Sequence, residues 1–163
     1  CDIRIVVQRI NDNTKKEDID RCYELINRTN QLNISGNKYS EGDFKNFLDS
    51  NNHVYFSAID KYGSYGIVGY FSYSIDDEMR ITVLEFALSC RVAKKRIEKA
   101  VLSWIFKQEK AKEMMIKYVK TAKNAPIRNS LEEAGFYYKE NGMMTSSYDD
   151  ISTDEGIIKI ETK

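Results

Sequence analysis

A β-type apolar run, Ile81-Thr82-Val83-Leu84-Glu85-Phe86-Ala87-Leu88, passes through Ser89-Cys90-Arg91-Val92-Ala93 into an amphipathic stretch whose helical pattern starts near Lys94. No other junction constrains the fold as much. Ile97, Ala100, Val101, Trp104 and Ile105 keep helical spacing, with lysines and glutamates opposite, and Met115 to Thr121 then reads as a strand again. A crossover of that length makes residues 79–88 and 115–121 parallel neighbours in one sheet. Ligands of such sheets bind beyond the carboxyl ends of the parallel strands, which here means the Cys90 turn. A strand that enters a helix N-terminus also leaves unpaired N–H groups and the helix dipole facing the loop, a setting that attracts anions. This loop adds a thiol and four cations, Arg91, Lys94, Lys95 and Arg96, but it lacks the glycines that usually let a backbone approach phosphate.

The rest of the chain alternates period. Ile3 to Val7 predicts a first strand; Thr14-Lys15-Lys16-Glu17 has capping-box spacing, and Ile19, Cys22, Tyr23 and Ile26 share a helical face behind it. That face takes Cys22 into the core. Residues 28–36 are polar and loop-like. Ser40-Glu41-Gly42-Asp43 is a second cap signal, before the stripe Phe44, Phe47 and Leu48. His53 to Ile59, Tyr65 to Ser74 and Met79 to Leu88 are β-type runs with short turn-rich connectors, the signature of antiparallel neighbours. Asn124-Ala125-Pro126 opens a helix that Gly135 closes, and Phe136 to Ser147 and Gly156 to Glu161 predict two last strands. The expected fold class is α/β (α+β): one domain over residues 1–163, with a mixed, mostly antiparallel sheet and helices on both faces.

Bulk properties exclude several function classes. With Lys+Arg 25 against Asp+Glu 25, no global field favours a nucleic acid or an anionic membrane surface. Three cysteines without metal-ligand spacing and a lone histidine, His53, leave no set for a zinc site, and no metal is expected. An odd cysteine count, no bilayer-length apolar stretch and no leader pattern point to a reducing, cytoplasmic setting. The chain opens on Cys1 and enters a strand at once, so it reads as a fragment of a longer protein.

The element order, the loop Arg91-Val92-Ala93-Lys94-Lys95-Arg96 and the helix Asn124-Ala125-Pro126-Ile127-Arg128-Asn129-Ser130-Leu131-Glu132-Glu133-Ala134-Gly135-Phe136 resemble the GNAT (acyl-CoA N-acyltransferase) fold. The loop takes the place of that family's R/Q-x-x-G-x-G/A pyrophosphate motif. Arg28-Thr29-Asn30-Gln31-Leu32-Asn33, Lys38-Tyr39-Ser40, Tyr65-Gly66-Ile67-Val68-Gly69, Phe86, Ser89-Cys90-Arg91-Val92, Glu98 and Thr121-Ala122-Lys123-Asn124 narrow the resemblance to the C-terminal GNAT-like domain of FkbH-like proteins. That resemblance implies an absent N-terminal HAD-type domain, an acyl carrier protein as partner, and glyceryl loading for polyketide or glycan biosynthesis. It also implies CoA or phosphopantetheine as a ligand rather than a covalent cofactor. The resemblance covers no HAD-type segment, so the phosphatase chemistry it implies lies outside this chain. Lys94 and Arg96 replace the glycines of the pattern, and Leu131 stands where many GNAT enzymes carry a proton-donating Tyr; leucine cannot donate a proton.

The resemblance assigns Leu88, Cys90, Arg91, Val92, Lys94, Lys95, Arg96 and Asn124 to the thiol or phosphate ligand, and Thr29, Asn30, Gln31 and Asn33 to the substrate. Each has a plainer reading. Cys90 is either a nucleophile whose cationic surroundings favour thiolate, holding an acyl group as a thioester, or a core residue that continues the Leu84, Phe86 and Leu88 face. The latter is the commoner fate of a free cysteine. The basic cluster is a dock for phosphate or an acidic carrier protein, or a solvated helix start that opposes the dipole. Asn124 is an N-cap as readily as a ligand contact, and residues 29–33 either line a cleft or tie their loop to the backbone. Glu85 reads as an outward-facing strand residue or as a base, His53 as structural, and Tyr39 and Tyr65 as half-buried packing with polar tips.

Overall fold

A computed structural model describes residues 2–139, 141–147 and 158–163. Cys1 and the predicted start of the last strand at Gly156 lie outside the described residues. The elements run β1 (Ile3–Arg9), α1 (Lys16–Arg28), α2 (Glu41–Leu48), β2 (Asn52–Asp60), β3 (Gly63–Ile75), β4 (Arg80–Leu88), a 3-10 turn (Cys90–Val92), α3 (Ile97–Gln108), β5 (Glu113–Lys117), α4 (Ala125–Glu133), β6 (Tyr137–Tyr138), β7 (Met143–Ser147) and β8 (Ile158–Thr162). The strands form one sheet in the order β6-β7-β5-β4-β3-β2-β1-β8. All neighbours are antiparallel except β1 with β8 and β4 with β5.

Short turns explain the central meander. Asp60 Oδ1 accepts the Tyr62 N–H between β2 and β3, and Asp76 Oδ1 accepts the N–H groups of Glu78 and Arg80 between β3 and β4. The sheet separates two apolar layers. Cys22, Ile26 and Phe44 of α1 and α2 pack on Tyr55, Tyr70 and Ala87, whereas Ile97, Val101, Ile105, Ile127 and Leu131 of α3 and α4 pack on the opposite face. Cys22 is fully buried, as its helical face requires, and burial raises its thiol pKa well above the ordinary range. Gly69 marks the tightest point of the sheet, since a Cβ there would sit 2.0 Å from the Phe56 ring.

Several sequence expectations shift. Ser40 caps α2 by accepting the Asp43 N–H, but Thr14 accepts the N–H of Asn11 and makes no box; α1 starts from Lys15 without a side-chain cap. The predicted strand from Phe136 to Ser147 is split into β6 and β7 by a turn at Gly142, whose φ is +80°. Helix α3 begins at Ile97 rather than Lys94, because Lys94 and Arg96 hold φ of 63° and 62°, outside the right-handed helical region. The three cations at 94–96 therefore precede the helix, and Glu98 occupies its first turn, where a carboxylate complements the dipole.

Candidate functional site

The parallel ladder of β4 and β5 runs from Arg80 opposite Glu113 to Val83 opposite Ile116 and then stops, while β4 continues to Leu88. A gap opens at the place where a ligand is expected. The chain fills it with its own α1–α2 loop. Leu88 N–H donates to Leu32 O at 2.9 Å, Ile34 N–H to Phe86 O at 3.2 Å, and Val119 N–H to Ile34 O at 2.8 Å, with Asn33 bridged to Ala87. Leu32 and Ile34 are 4% and 0% exposed. Withdrawing the segment would uncover two apolar side chains worth about 1.5–3 kcal/mol each. It would also leave buried backbone groups unpaired, at roughly 1–3 kcal/mol apiece.

Asn33 explains why this polar stretch folds inward. Its Nδ2 donates to Ile26 O and Thr29 O, and its Oδ1 accepts from the N–H groups of Ser35 and Gly36. The amide is fully committed to its own loop. Asn124 does the same for the loop after β5. It sits at the N-cap position of α4 but makes no side-chain cap; its Oδ1 accepts from Tyr118 OH and Thr121 N–H, and its Nδ2 donates to Asn33 O and Val119 O. Gln31 O accepts the Ile127 N–H and so takes over the capping of α4.

Glu85, the charged residue inside the β4 apolar run, is not outward-facing: it is 1% exposed. Its Oε1 accepts from Ser35 Oγ at 2.5 Å, and its Oε2 from Asn37 Nδ2 at 2.9 Å and Tyr39 OH at 2.5 Å. This carboxylate holds the second half of the α1–α2 loop against the sheet. Burial, then the Glu85 hydrogen bond, raises the Tyr39 phenol pKa well above its usual range. The sequence signal was half present: a carboxylate at the centre of a strand needs donors, but Ser35, Asn37 and Tyr39 lie 50, 48 and 46 residues away. His53 is structural, as expected: its Nε2 donates to Ser50 O, so Nδ1 of the neutral ring accepts from Tyr70 OH at 2.7 Å.

The other loop is arranged differently. Leu88 and Val92 are buried, but Cys90 between them is exposed, which overturns the reading of this thiol as a core residue. The physical cause is that β4 ends at Leu88 and Ser89 Oγ accepts the Arg91 N–H, starting a 3-10 turn that breaks the strand alternation. Arg91 and Lys94 are exposed, and Lys95 lies over the Tyr65 ring at 5.7 Å. Tyr65 in turn donates to Asp60 Oδ2, which ties the basic loop to the β2–β3 hairpin. Glu98, behind the loop, is 4% exposed and its Oε2 has no hydrogen-bond partner among the described residues.

Cys90 and Ser89 share a groove of about 600 Å³ with Thr29, Asn30 and Gln31, closed by Arg21, Glu24, Leu25 and Arg28 of α1 and by Lys123. Three of the four expected substrate residues thus meet the thiol. Asn33 and Asn124 do not line it; they are the buried ties beneath it. Arg21 carries no sequence motif, and Arg28 and Lys123 belong to motifs of the resemblance without a site role, because nothing in sequence brings α1 or the β5–α4 loop beside the β4 turn. A larger groove of about 700 Å³ lies between α1 and α2, floored by Ile19, Tyr23, Phe44 and Leu48; it holds no thiol and meets the Cys90 groove at Glu24 and Arg28. No helix among the described residues is long and apolar enough to cross a membrane.

No protein-family model and no curated protein matches the sequence. Solved structures do. An acetyltransferase of the GNAT family from Staphylococcus aureus Mu50 superposes with TM-score 0.59 at 14% identity, over 88% of this chain and 99% of that one. The ribosomal-protein-S18-alanine N-acetyltransferase from Escherichia coli gives TM-score 0.57 at 12% identity, over 93% and 97%. A GNAT family acetyltransferase from Elizabethkingia anophelis, solved with acetyl-CoA bound, gives 0.57 at 14%, over 88% and 97%. With the mixed eight-stranded sheet, four helices and β4–β5 divergence of its described residues, this chain has the GNAT acyltransferase fold.

Proposed function

We propose that the domain binds the thiol or thioester end of a phosphopantetheine arm, carried by an acyl carrier protein or by CoA, and supports acyl or glyceryl transfer at Cys90. One observation carries this reading: an exposed thiol stands in a groove with Thr29, Asn30 and Gln31, directly before the basic segment Arg91–Arg96. In the transfer step the Cys90 thiolate attacks the thioester carbonyl, a new C–S bond forms, and the arm leaves as a thiolate that takes up the proton Cys90 lost. Arg91, Lys94 and Lys95 supply positive charge for the phosphates of the arm or the acidic surface of its carrier. The biosynthetic setting, with a HAD-type partner domain of an FkbH-like protein, rests on the sequence resemblance. Calorimetric titration with CoA and with a holo carrier protein tests the binding, and heat from neither refutes it. Cys90→Ala in the full-length protein tests the chemistry. Loss of glyceryl loading is expected, and unchanged loading makes the domain a docking module instead.

A second reading, acetyl-CoA-dependent N-acetyl transfer, is favoured by the loop backbone. Lys94 and Arg96 hold a left-handed φ of the kind glycine adopts without strain, so the loop backbone takes a glycine-type path. Against it stands Leu131, which is fully buried and cannot protonate a leaving thiolate. Mass spectrometry of amine acceptors incubated with acetyl-CoA separates the two readings.

A further inference from the structure

We infer that Leu32–Ile34 is a standing plug of the β4–β5 gap: a ligand reaches Cys90 along the groove beside α1, across Asn30 and Gln31, and not by threading between the two strands. The inference rests on the proposed ligand site but concerns its direction of approach. The open backbone positions of β4 past the ladder, Phe86 O and Leu88 N, are already paired with Ile34 and Leu32, and Val119 N on the facing side is paired with Ile34 O. An incoming chain would have to displace these three bonds.

The plug is also held from several directions at once. Asn33 commits its amide to its own loop, Asn124 Nδ2 grips Asn33 O, and Ile127 N–H grips Gln31 O. Glu85 anchors Ser35, Asn37 and Tyr39 just beyond it. Gly36 follows at φ +70°, where a Cβ would lie 2.8 Å from Thr121 Cγ2, so the plug is closed down on the β5–α4 loop with no slack. What stays open is the groove between the α1 C-terminal half and the Cys90 turn, with Arg21, Arg28 and Lys123 around it and Glu24 as its carboxylate. A slender thiol-ended chain bearing negative charge fits that outer course.

Amide hydrogen exchange on the intact domain, alone and with saturating CoA or pantetheine, is the test, read beside the rate at which iodoacetamide alkylates Cys90. In the free protein the Leu88 and Val119 amides are expected to exchange as slowly as those of central β3, within about tenfold. Exchange hundreds-fold faster or more would overturn the plug without reference to any ligand. When ligand slows Cys90 alkylation, unchanged exchange at Leu88 and Val119 supports the outer course; an acceleration of about tenfold or more at those amides shows entry into the gap and overturns it. Alkylation that neither ligand slows refutes the binding proposal, and the free-protein exchange still decides the plug.

Discussion

Two polar loops meet at the carboxyl ends of β4 and β5, and they use their polar groups in opposite ways. In residues 29–39, Asn33 and the Glu85-bound side chains are spent on the protein itself, and the loop is buried deep enough to behave as an extra strand. In residues 89–96 the thiol and three of the four cations, Arg91, Lys94 and Arg96, face outward, and the backbone holds two non-glycine residues in a left-handed conformation. The first loop is rigid because every buried polar group has a partner. The second stores strain of about 1–2 kcal/mol per left-handed residue, a cost the chain also bears singly at the turns of Asn51, Met79 and Lys110. Polarity in a loop therefore says little about function until the partners of each group are known.

Variants on either side break or sharpen this contrast. Asn33→Ala removes an amide that satisfies four backbone groups, three of them in buried bonds, and is expected to lower unfolding stability by about 3 kcal/mol or more, read from the urea midpoint. A loss below about 1 kcal/mol would place this loop in the same class as the exposed one. Gly36→Ala forces a Cβ against Thr121 and a strained φ, for a loss of about 1–2 kcal/mol in the same assay. The other loop responds with the opposite sign. Lys94→Gly is expected to raise stability by up to about 1 kcal/mol, since it relieves a left-handed φ at an exposed position, less the added freedom of the unfolded chain. A clear loss instead would show that the Lys94 side chain is structural. The smallest stability effect belongs to Cys90→Ala, within about 0.5 kcal/mol of the parent by thermal melting, even though it should abolish alkylation and transfer.

Much of the fold was legible in the chain because it rests on local patterning. The strand–helix–strand unit around Cys90, the antiparallel meander and the parallel pairing of residues 79–88 with the following strand all follow from period and connector length. Errors gathered where a backbone choice cannot be read from side-chain type. The αL conformations at Lys94 and Arg96 delayed α3, and the Ser89-capped turn carried Cys90 out of the core.

By itself, then, the sequence determined the layered α/β architecture and marked the turn after β4 as the place where chemistry would lie. Tertiary structure alone decided which polar residues there stay open to solvent and which are mortar. Asn33, Asn124 and Glu85 look as available in sequence as Asn30, Gln31 and Cys90, but the first three are buried by contacts with partners up to 91 residues away. Burial and hydrogen-bond satisfaction are properties of the packed chain: a polar group taken from water must find a partner, and no residue can name that partner until the fold brings it near.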